Sequence, residues 1–395
     1  MILGASILQL PAIQKANKMG LQVIAVDMNP DAIGFKEKNV ISEVISTIDI
    51  DAVLQVAKKH KINGIMTLAS DMPMRTVAIV AKELNLIGIS EETAIKATNK
   101  VKMRDALYEN NVPCPVYFKV NEKEEYKKSV NQIKNMNCKC IVKPADNSGS
   151  RGIYLISSYE ENEIDTAFKY SKRYSRDGDI LVEEYMEGPE VSVETLSIDG
   201  KCNVIQITDK LTTGAPYFVE IGHSQPSKLD IETKKKIKEI AIAANHAIGI
   251  DNGPSHTEIK ITPNGPKIVE LGARLGGDNI TTHLVPLSTG VDMVECCINI
   301  ALGKKADFKI KYNKGSAIKY FNQNAGKIIS INGIKEASTI EGVQQIVLLD
   351  SIGSHINEIK SSNDRIGYVI ANADNADSAI NICDKVLNSI KIHIE

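Results

Sequence analysis

The sequence lacks the charge excess and the long apolar runs that mark several classes of protein. Lys and Arg number 47 against 49 Asp and Glu in 395 residues, so the formal net charge is -2. Nucleic-acid-binding proteins usually carry clustered basic residues, and this balance argues against that class. There is also no apolar run of about 18 residues and no signal-peptide pattern. We therefore expect neither a nucleic-acid partner nor a membrane partner.

The seven cysteines also lack a disulfide or metal-binding pattern. Cys138 and Cys140 are closer than the Cys-x2-Cys half of a zinc site, and Cys296-Cys297 lies in an apolar helical run. An odd, unpatterned set indicates reduced thiols and hence a cytoplasmic protein. Apolar residues make up 43% of the chain, which is enough for a large hydrophobic core that needs no disulfide bond or metal ion for folding.

Strand and helix patterns alternate over the first ninety residues, ending with a short strand at residues 87–89. This alternation implies a parallel sheet and a small Rossmann-like domain at residues 1–90. Only Gly4 lies at the first strand–helix turn, where a dinucleotide fingerprint needs three glycines, so a structural turn is favoured there. The later pattern predicts a central domain at residues 91–304 and a mixed C-terminal domain at residues 305–395.

Two glutamates lie in a predicted β-hairpin at residues 256–271. With a three-residue loop at residues 263–265, Glu258 would lie directly opposite Glu270. Like charges opposed across strands are destabilising, so a cation between them is expected, and Mg2+ carried with nucleotide phosphates suits two carboxylates. A solvent-facing acidic pair is the alternative, and a two-residue turn at residues 264–265 would remove the opposition.

A lysine ends the apolar strand at residues 140–144, and a small polar loop at residues 146–152 follows it. The loop glycines would let backbone N–H groups approach phosphate oxygens, and Lys143 would add positive charge. The loop leads to a strand, whereas a P-loop leads to a helix. An exposed lysine beside an ordinary turn is the alternative, although the apolar context of Lys143 favours a function.

A third segment, residues 180–190, is a strand that breaks at Gly188-Pro189. The break would free backbone groups to bind an adenine edge, with Met186 against the ring. Glu190 could then accept hydrogen bonds from ribose hydroxyls.

The order of these features, with Lys100 on a helix before them, resembles the ATP-grasp superfamily. The resemblance implies an α/β and α+β fold: an N-terminal Rossmann-like domain, an ATP-grasp domain at residues 91–304 with a lid at about 115–187, and a mixed α/β C-terminal domain. It implies ATP as cofactor, and Mg2+, or alternatively Mn2+, held by Glu258 and Glu270. The nucleotide-binding residues that it implies are Lys100, Lys143, Ser148, Gly149, Ser150, Arg151, Gly152, Glu183, Glu184, Tyr185, Met186 and Glu190.

The run from Glu270 to Gly277 is similar to the carboxylate–amine ligase branch, which includes amino-acid ligases. Many ATP-grasp enzymes have an asparagine that helps a second metal where this chain has Gly272. The branch implies an amide bond formed through an acyl phosphate, with small carboxylate and amine substrates and a homodimer. Its implied catalytic residues are Arg274, Lys143 and the base His223, and its implied substrate residues are Glu220, His223, Arg274, Gly276, Gly277 and Asp278.

Other roles remain open for individual residues and for the whole chain. Arg274 could form only a surface ion pair, and a loop histidine such as His223 is more often structural. A biotin carboxylase-like or carbamoyl-phosphate-type enzyme, which activates bicarbonate, is the alternative within enzymes. A non-catalytic ATP-binding protein is the alternative outside them, although the full set of charged residues argues against it.

Overall fold

The computed structural model describes residues 1–147 and 151–395. Its strands are β1 (Ile2–Leu3), β2 (Val23–Asp27), β3 (Val40–Val44), β4 (Met66–Thr67), β5 (Tyr117–Val120), β6 (Cys140–Pro144), β7 (Tyr154–Ile156), β8 (Ile180–Glu184), β9 (Glu190–Ile198), β10 (Lys201–Thr212), β11 (Glu220–Gln225), β12 (Gly253–Thr262), β13 (Gly265–Gly272), β14 (Gly315–Tyr320), β15 (Gly326–Asn332), β16 (Val343–Leu348), β17 (His355–Ile356), β18 (Gly367–Ala373) and β19 (Lys391–Ile394).

The α-helices pack against these strands. They are α1 (Leu10–Lys18), α2 (Ile50–Lys59), α3 (Met74–Glu83), α4 (Glu91–Thr98), α5 (Lys100–Glu109), α6 (Lys123–Asn135), α7 (Glu161–Tyr174), α8 (Ile231–Ile248), α9 (Val285–Thr289), α10 (Met293–Ala301), α11 (Ile334–Ala337) and α12 (Ala376–Ser389). Short 3-10 helices cover Ile33–Lys36 and Ser362–Asp364, and a π-helical turn covers Ile280–Leu284.

The N-terminal sheet is parallel, in the order β3-β2-β1-β4. This arrangement confirms the expected strand–helix alternation. The strand predicted at residues 87–89 is wrong, because this segment forms no strand in the described part of the chain. Ile89 is instead buried in the core cluster that also contains Ile65 and Val77, so core packing explains the apolar character of the segment.

The largest sheet is continuous from the centre of the chain into its C-terminal part. Its order is β13-β12-β9-β10-β11-β14-β18-β16, and its neighbouring strands are antiparallel. Strand β11 pairs with β14, so the predicted boundary between residues 304 and 305 does not interrupt the sheet. Strands β14, β18 and β16 from the C-terminal part therefore extend the same sheet, at the edge opposite the β12–β13 hairpin. The division into three domains stays a prediction.

A separate four-stranded sheet, in the order β5-β8-β6-β7, lies within the segment predicted as a lid. Helices α6 and α7 cover it, and Tyr126, Val130 and Ala167 from these helices are buried against Cys140 and Val142 of β6. A sheet with its own small core can hold a strand end rigidly. Lys143 lies at such an end.

The hairpin of β12 and β13 brings Glu258 opposite Glu270 by a different route from the predicted one. The predicted loop at residues 263–265 is wrong, because Thr262 pairs with Gly265 and the loop has two residues. A β-bulge then restores the opposition, since the register shifts between Glu258 and Ile259 and leaves Val269 as the extra residue.

Among the described residues, no single helix is long and apolar enough to cross a membrane. One pair bent by 113°, Ile280–Thr289 with Met293–Ala301, passes that test jointly on length and composition alone.

Candidate active site

A pocket of about 480 Å³ lies where the lid sheet, the large sheet and the N-terminal segment meet. Charged side chains from all three parts line it. They are Asp71, Lys143, Glu183, Glu184, Glu190, Lys210, Glu220, Glu258, Lys260, Glu270, Arg274, Asp278 and Arg365. Such a density of buried and half-buried charge is typical of a functional site.

Lys143 lies at one side of the pocket, on β6, and Glu183 lies beside it on β8. The Lys143 ammonium is 2.6 Å from Glu183 Oε2, and Arg104 Nε donates to Oε1 of the same carboxylate at 2.7 Å. Burial alone would raise the pKa of Glu183, but Arg104 and Lys143 hold it below its usual value. Glu183 is therefore the counter-ion of Lys143 in this structure, and its place in an adenine hinge stays a prediction.

Lys100 approaches the hairpin from the first turn of α5, where the Asn99 side chain caps the helix. Its ammonium donates to Glu270 Oε1 at 2.8 Å and to the Asn147 carbonyl at 2.7 Å. The residue is largely buried, at 8% exposure. Lys100 therefore links the carboxylate hairpin to the start of the predicted phosphate loop. Within that loop, Ser148, Gly149 and Ser150 lie outside the described residues, and Arg151 and Gly152 form the turn before β7.

Lys210 on β10 is surrounded by three carboxylates. Its ammonium lies 2.6 Å from Glu190 Oε1, 2.8 Å from Glu258 Oε1 and 3.5 Å from Glu220 Oε1. Burial alone would lower its pKa, but these carboxylates raise it well above the usual value. Glu190, predicted to bind ribose, also accepts from Lys260 at 3.2 Å. The acidic groups around the hairpin are thus held by fixed cations.

Glu258 has a second basic neighbour in His256, two residues earlier on the same strand. His256 Nδ1 lies 2.6 Å from the buried Glu194 Oε1, and its Nε2 lies 3.7 Å from Glu258 Oε1. Gly276 leaves room for this arrangement, because a Cβ there would lie 2.6 Å from His256 Nδ1. A glycine at position 276 therefore has a steric basis.

The two opposed carboxylates suit a divalent cation that brings other ligands with it. Among the described residues, no group of three His, Cys, Asp or Glu side chains could hold a metal ion. Mg2+ usually binds one or two carboxylates together with waters and substrate phosphates. Glu258 and Glu270 fit that requirement as a pair. In this structure Glu270 Oε1 accepts from Lys100, and Glu258 Oε1 accepts from Lys210.

Arg274 leaves the end of the hairpin and is held by the N-terminal segment. Its Nε donates to Asp71 Oδ1 at 2.8 Å, and its Nη2 donates to Oδ2 at 3.2 Å. Gly272 makes room for this pair, since a Cβ there would lie 2.8 Å from Asp71 Oδ1. The glycine at a position where many ATP-grasp enzymes carry asparagine thus has a steric reason in this chain.

Asp278 forms an ion pair with Arg365 from the C-terminal part of the chain. Nη1 donates to Oδ2 at 2.7 Å and Nη2 donates to Oδ1 at 2.8 Å, while the guanidinium stacks 3.9 Å from the Tyr320 ring centroid. His223 Nε2 lies 3.2 Å from Asp278 Oδ2, and its side chain is only 2% exposed. Asp278 is therefore already neutralised, and His223 lies behind it, where direct contact with a substrate amine is not favoured.

The predicted hinge segment follows β8 along the pocket wall. Glu184 forms an ion pair with Lys267, and the Tyr185 ring lies 6.0 Å from that of Phe218. Tyr185 and Met186 both line the pocket, as do Glu220 and Gly277. Apart from the three residues that lie outside the described ranges, most of the predicted site residues therefore lie around one pocket.

Sequence reasoning did not assign Asp71, Arg104, Lys210 or Arg365. Asp71 follows the parallel strand β4, and side chains at the carboxyl ends of parallel strands commonly form binding sites. Its position could therefore have indicated a site residue. Arg104 lies four residues after Lys100 and hence on the same helix face. No sequence pattern around Lys210 or Arg365 indicates a role in the site, because their partners are distant in sequence.

Two family models match parts of the chain. One describes an ATP-grasp domain and covers residues 136–282, and the other describes the L-amino acid ligase C-terminal domain 2 and covers residues 319–395. Alanine–anticapsin ligase of Bacillus subtilis (strain 168) is 29% identical over 280 residues, which is 65% of this chain and 58% of that protein. Phosphoribosylamine–glycine ligase of Methanocaldococcus jannaschii is 23% identical and covers 96% of this chain and 90% of that protein.

Residues 136–282 therefore form an ATP-grasp domain, and the relatives of the chain include carboxylate–amine ligases. The crystal structure of an L-amino acid ligase from Bacillus licheniformis has the same fold, with a TM-score of 0.85 at 22% identity over 100% of this chain and 98% of that one. The expected ATP-grasp fold is thereby confirmed. ATP-grasp ligases use ATP, Mg2+ is typical of the family, and the relatives favour a ligase over the bicarbonate-activating and non-catalytic alternatives.

Proposed function

We propose that this ATP-grasp ligase transfers the γ-phosphoryl group of ATP to a substrate carboxylate and joins the acyl phosphate to an amine, releasing ADP and phosphate. One observation carries the proposal: Glu258 and Glu270 lie opposite each other in a pocket that also contains Lys143 and Arg274. Phosphoryl transfer depends mainly on positioning and charge neutralisation, which such a set of groups provides.

We assign the lid side of the pocket to the nucleotide. Lys143 would contact phosphate oxygens, and Lys100 would do so after exchanging its contact with Glu270. Tyr185 and Met186 line the wall that the adenine would contact, and Glu190 would accept from ribose hydroxyls. The predicted phosphate loop, residues 148–152, completes this assignment.

We assign Glu258 and Glu270 to a divalent cation, Mg2+ or alternatively Mn2+. The ion would neutralise charge on the ATP phosphates during transfer. Lys210 and His256 would keep the Glu258 carboxylate ionised and oriented, since both contact or approach its Oε1 atom.

We assign the opposite end of the pocket to the carboxylate and amine. The planar guanidinium of Arg274 suits a carboxylate or an acyl phosphate, and Asp71 fixes its orientation. Glu220 would face an ammonium group, because Asp278 is already paired with Arg365. His223, first considered as a general base, is better placed to orient Asp278. Gly277 leaves space beside these groups.

The names of the relatives support an amino acid as the carboxylate substrate. Alanine–anticapsin ligase and an L-arginine-specific L-amino acid ligase, both from Bacillus subtilis, are 29% and 22% identical to this chain. An amino acid would present its carboxylate to Arg274 and its ammonium to Glu220. We propose an amino-acid ligase that forms an amide or peptide bond.

The decisive experiment is ADP release measured with Mg2+ across the amino acids, with hydroxylamine present to trap an acyl phosphate. A hydroxamate formed with one amino acid, and only with ATP and Mg2+, would support the proposal and identify the carboxylate. ADP release that requires bicarbonate and no amino acid would overturn it, as would nucleotide binding without ADP release under any condition.

The proposal extends to a cytoplasmic homodimer. All seven cysteines are free, which is compatible with a reducing compartment. Sedimentation of the purified full chain would give its mass in solution, and a mass of one chain would contradict the dimer.

A further inference from the structure

Arg104 is a fully buried cation that lies beneath the pocket without lining it. Its Nε donates to Glu183 Oε1 at 2.7 Å, and its Nη2 donates to the Val269 carbonyl at 2.7 Å. It is among the largest side chains with no exposed surface. One guanidinium thus contacts both the counter-ion of Lys143 and the backbone of the carboxylate hairpin.

The first contact affects how much positive charge Lys143 can offer to a ligand. Glu183 is held between two cations, Arg104 and Lys143, so the three groups together carry one net positive charge. Without Arg104, Glu183 would neutralise Lys143 completely. Because Lys143 lines the pocket and Arg104 does not, the surplus charge is available on the side where phosphates would bind.

The second contact affects where Glu270 points. Val269 is the extra residue of the β-bulge, and without that bulge the two-residue turn would not place Glu270 opposite Glu258. A bulge leaves backbone groups outside the regular ladder, and these need another partner when buried. The Arg104 guanidinium supplies that partner to the Val269 carbonyl and so stabilises the register that opposes the two carboxylates.

We propose that Arg104 is a positioning residue that couples the two halves of the ATP site: it compensates the charge of Glu183, which leaves net positive charge at Lys143 for phosphate, and it fixes Glu270 through the Val269 carbonyl. This inference rests on the proposed function, since it takes Lys143 as a phosphate ligand and Glu270 as a metal ligand.

The test measures equilibrium binding of ADP, AMP and adenosine to the full chain, together with Mn2+ binding in the presence of ADP by electron paramagnetic resonance. Removing a buried charge partner should matter most for the most highly charged ligand. In Arg104→Met we expect ADP to bind about 10- to 100-fold more weakly, with AMP affected less and adenosine least. We also expect weaker Mn2+ binding, because Glu270 loses its fixed position.

A double variant separates the two contacts. Arg104→Met with Glu183→Gln restores one net positive charge at Lys143 but leaves the Val269 carbonyl without its donor. We expect it to recover most of the ADP affinity while Mn2+ binding stays weak. A purely structural role predicts no such recovery, because removing a second buried hydrogen-bonding group should weaken ADP binding further.

Lys102→Met is the matched control, since it removes a charge from an exposed position of the same helix and should leave all four affinities unchanged. If Arg104→Met does not fold, Arg104→Lys carries the test. It keeps the charge but lacks the five-donor fork that reaches both partners, so ADP affinity should stay close to that of the unmodified protein while Mn2+ binding weakens.

The outcomes distinguish this inference from the proposed function. If the unmodified protein binds ADP no better than adenosine, the proposed nucleotide site itself is wrong. If it prefers ADP but the Arg104 variants keep that preference and the Mn2+ affinity, and lose only thermal stability, the inference about Arg104 is wrong while the proposed function stands.

Discussion

Asp278 and Arg365 form a two-point ion pair although 87 positions separate them in the sequence. The Nη1–Oδ2 and Nη2–Oδ1 distances are 2.7 and 2.8 Å. Arg365 also donates from Nη1 to the Glu220 carbonyl at 3.2 Å, so it contacts two elements of the substrate end of the pocket. The C-terminal part of the chain is therefore a structural component of the site.

Replacing Arg365 with alanine should destabilise the protein and weaken substrate binding. The side chains of Arg365 and Asp278 are 10% and 24% exposed, so the variant leaves a mostly buried carboxylate without its main partner. We expect the free energy of unfolding to fall by about 2 to 4 kcal/mol. We also expect KM for the amino acid to rise more than KM for ATP. Denaturant unfolding and initial-rate kinetics measure the two effects.

Lys228→Ala is the matched control for that prediction. Lys228 forms an exposed ion pair with Asp377 at 3.0 Å, and such surface pairs contribute little to stability. An equal loss of stability in both variants would contradict the importance assigned to the buried pair.

Acid should remove the stabilisation that Asp278 provides. Burial alone would raise the pKa of Asp278, but Arg365 and His223 lower it far below its usual value. A group with a depressed pKa stabilises the folded state fully above its unfolded pKa and less as the pH falls below it. The unfolded pKa of aspartate is about 3.9, so the loss should begin below about pH 5.

The measurement is the difference in unfolding free energy between the unmodified protein and Asp278→Asn. We expect a constant difference from about pH 5 to pH 8, which then shrinks as the pH falls below about 5. A difference that did not change with pH would mean that Asp278 is not ionised and paired in the folded protein.

The hairpin shows how a correct pairing can be predicted for a wrong reason. Alternation and the turn residues predicted two strands, and Glu258 does lie opposite Glu270. The loop length was wrong, and a bulge at Val269 compensates for it. The bulge is stabilised by Arg104, more than 160 positions away, so no local pattern could have predicted it.

The same limit explains the missed ion pairs. Asp71 and Arg274 are 203 positions apart, and each looks like an ordinary surface residue in its own segment. The candidate nucleotide-binding residues were easier to propose, because strand ends, glycine loops and breaks are local features with known backbone chemistry. Contacts that join separate sheets depend on tertiary packing, which the local patterns do not encode.

Removing one candidate metal ligand should abolish most of the Mg2+-dependent reaction. In Glu270→Gln the amide keeps the size of the side chain but loses its charge, and Lys100 loses its ionic partner. We expect Mg2+-dependent ADP release to fall by about 100-fold or more. Full Mg2+-dependent turnover in this variant would show that Glu270 is not a metal ligand.

Glu187→Gln is the control for the change in charge. Glu187 follows Met186 but does not line the pocket, and it pairs with exposed Lys139 at 2.9 Å. Its ADP release should match that of the unmodified protein, so a comparable loss would point to a general electrostatic effect rather than to metal binding.

Gly272→Asn should disrupt the pair that orients Arg274, even though asparagine is common at this position in ATP-grasp enzymes. A Cβ at residue 272 would lie 2.8 Å from Asp71 Oδ1 and 3.2 Å from Arg274 Nε, so one of the two side chains must move. Because Arg274 is assigned to the substrate carboxylate, we expect kcat/KM for the amino acid to fall by about 10- to 100-fold. The dissociation constant of ADP should change less, since neither Asp71 nor Arg274 is assigned to the nucleotide.

The crowding can be relieved at Asp71, which makes the physical cause testable. In Gly272→Asn with Asp71→Ala the new side chain has space, although Arg274 loses its anchor, so the two changes should be less than additive in free energy. Gly20→Asn is the control, because nothing lies within 4 Å of a Cβ there and asparagine tolerates its positive φ. Strict additivity of the two pocket changes would mean that residue 272 acts on catalysis by a route other than contact with Asp71.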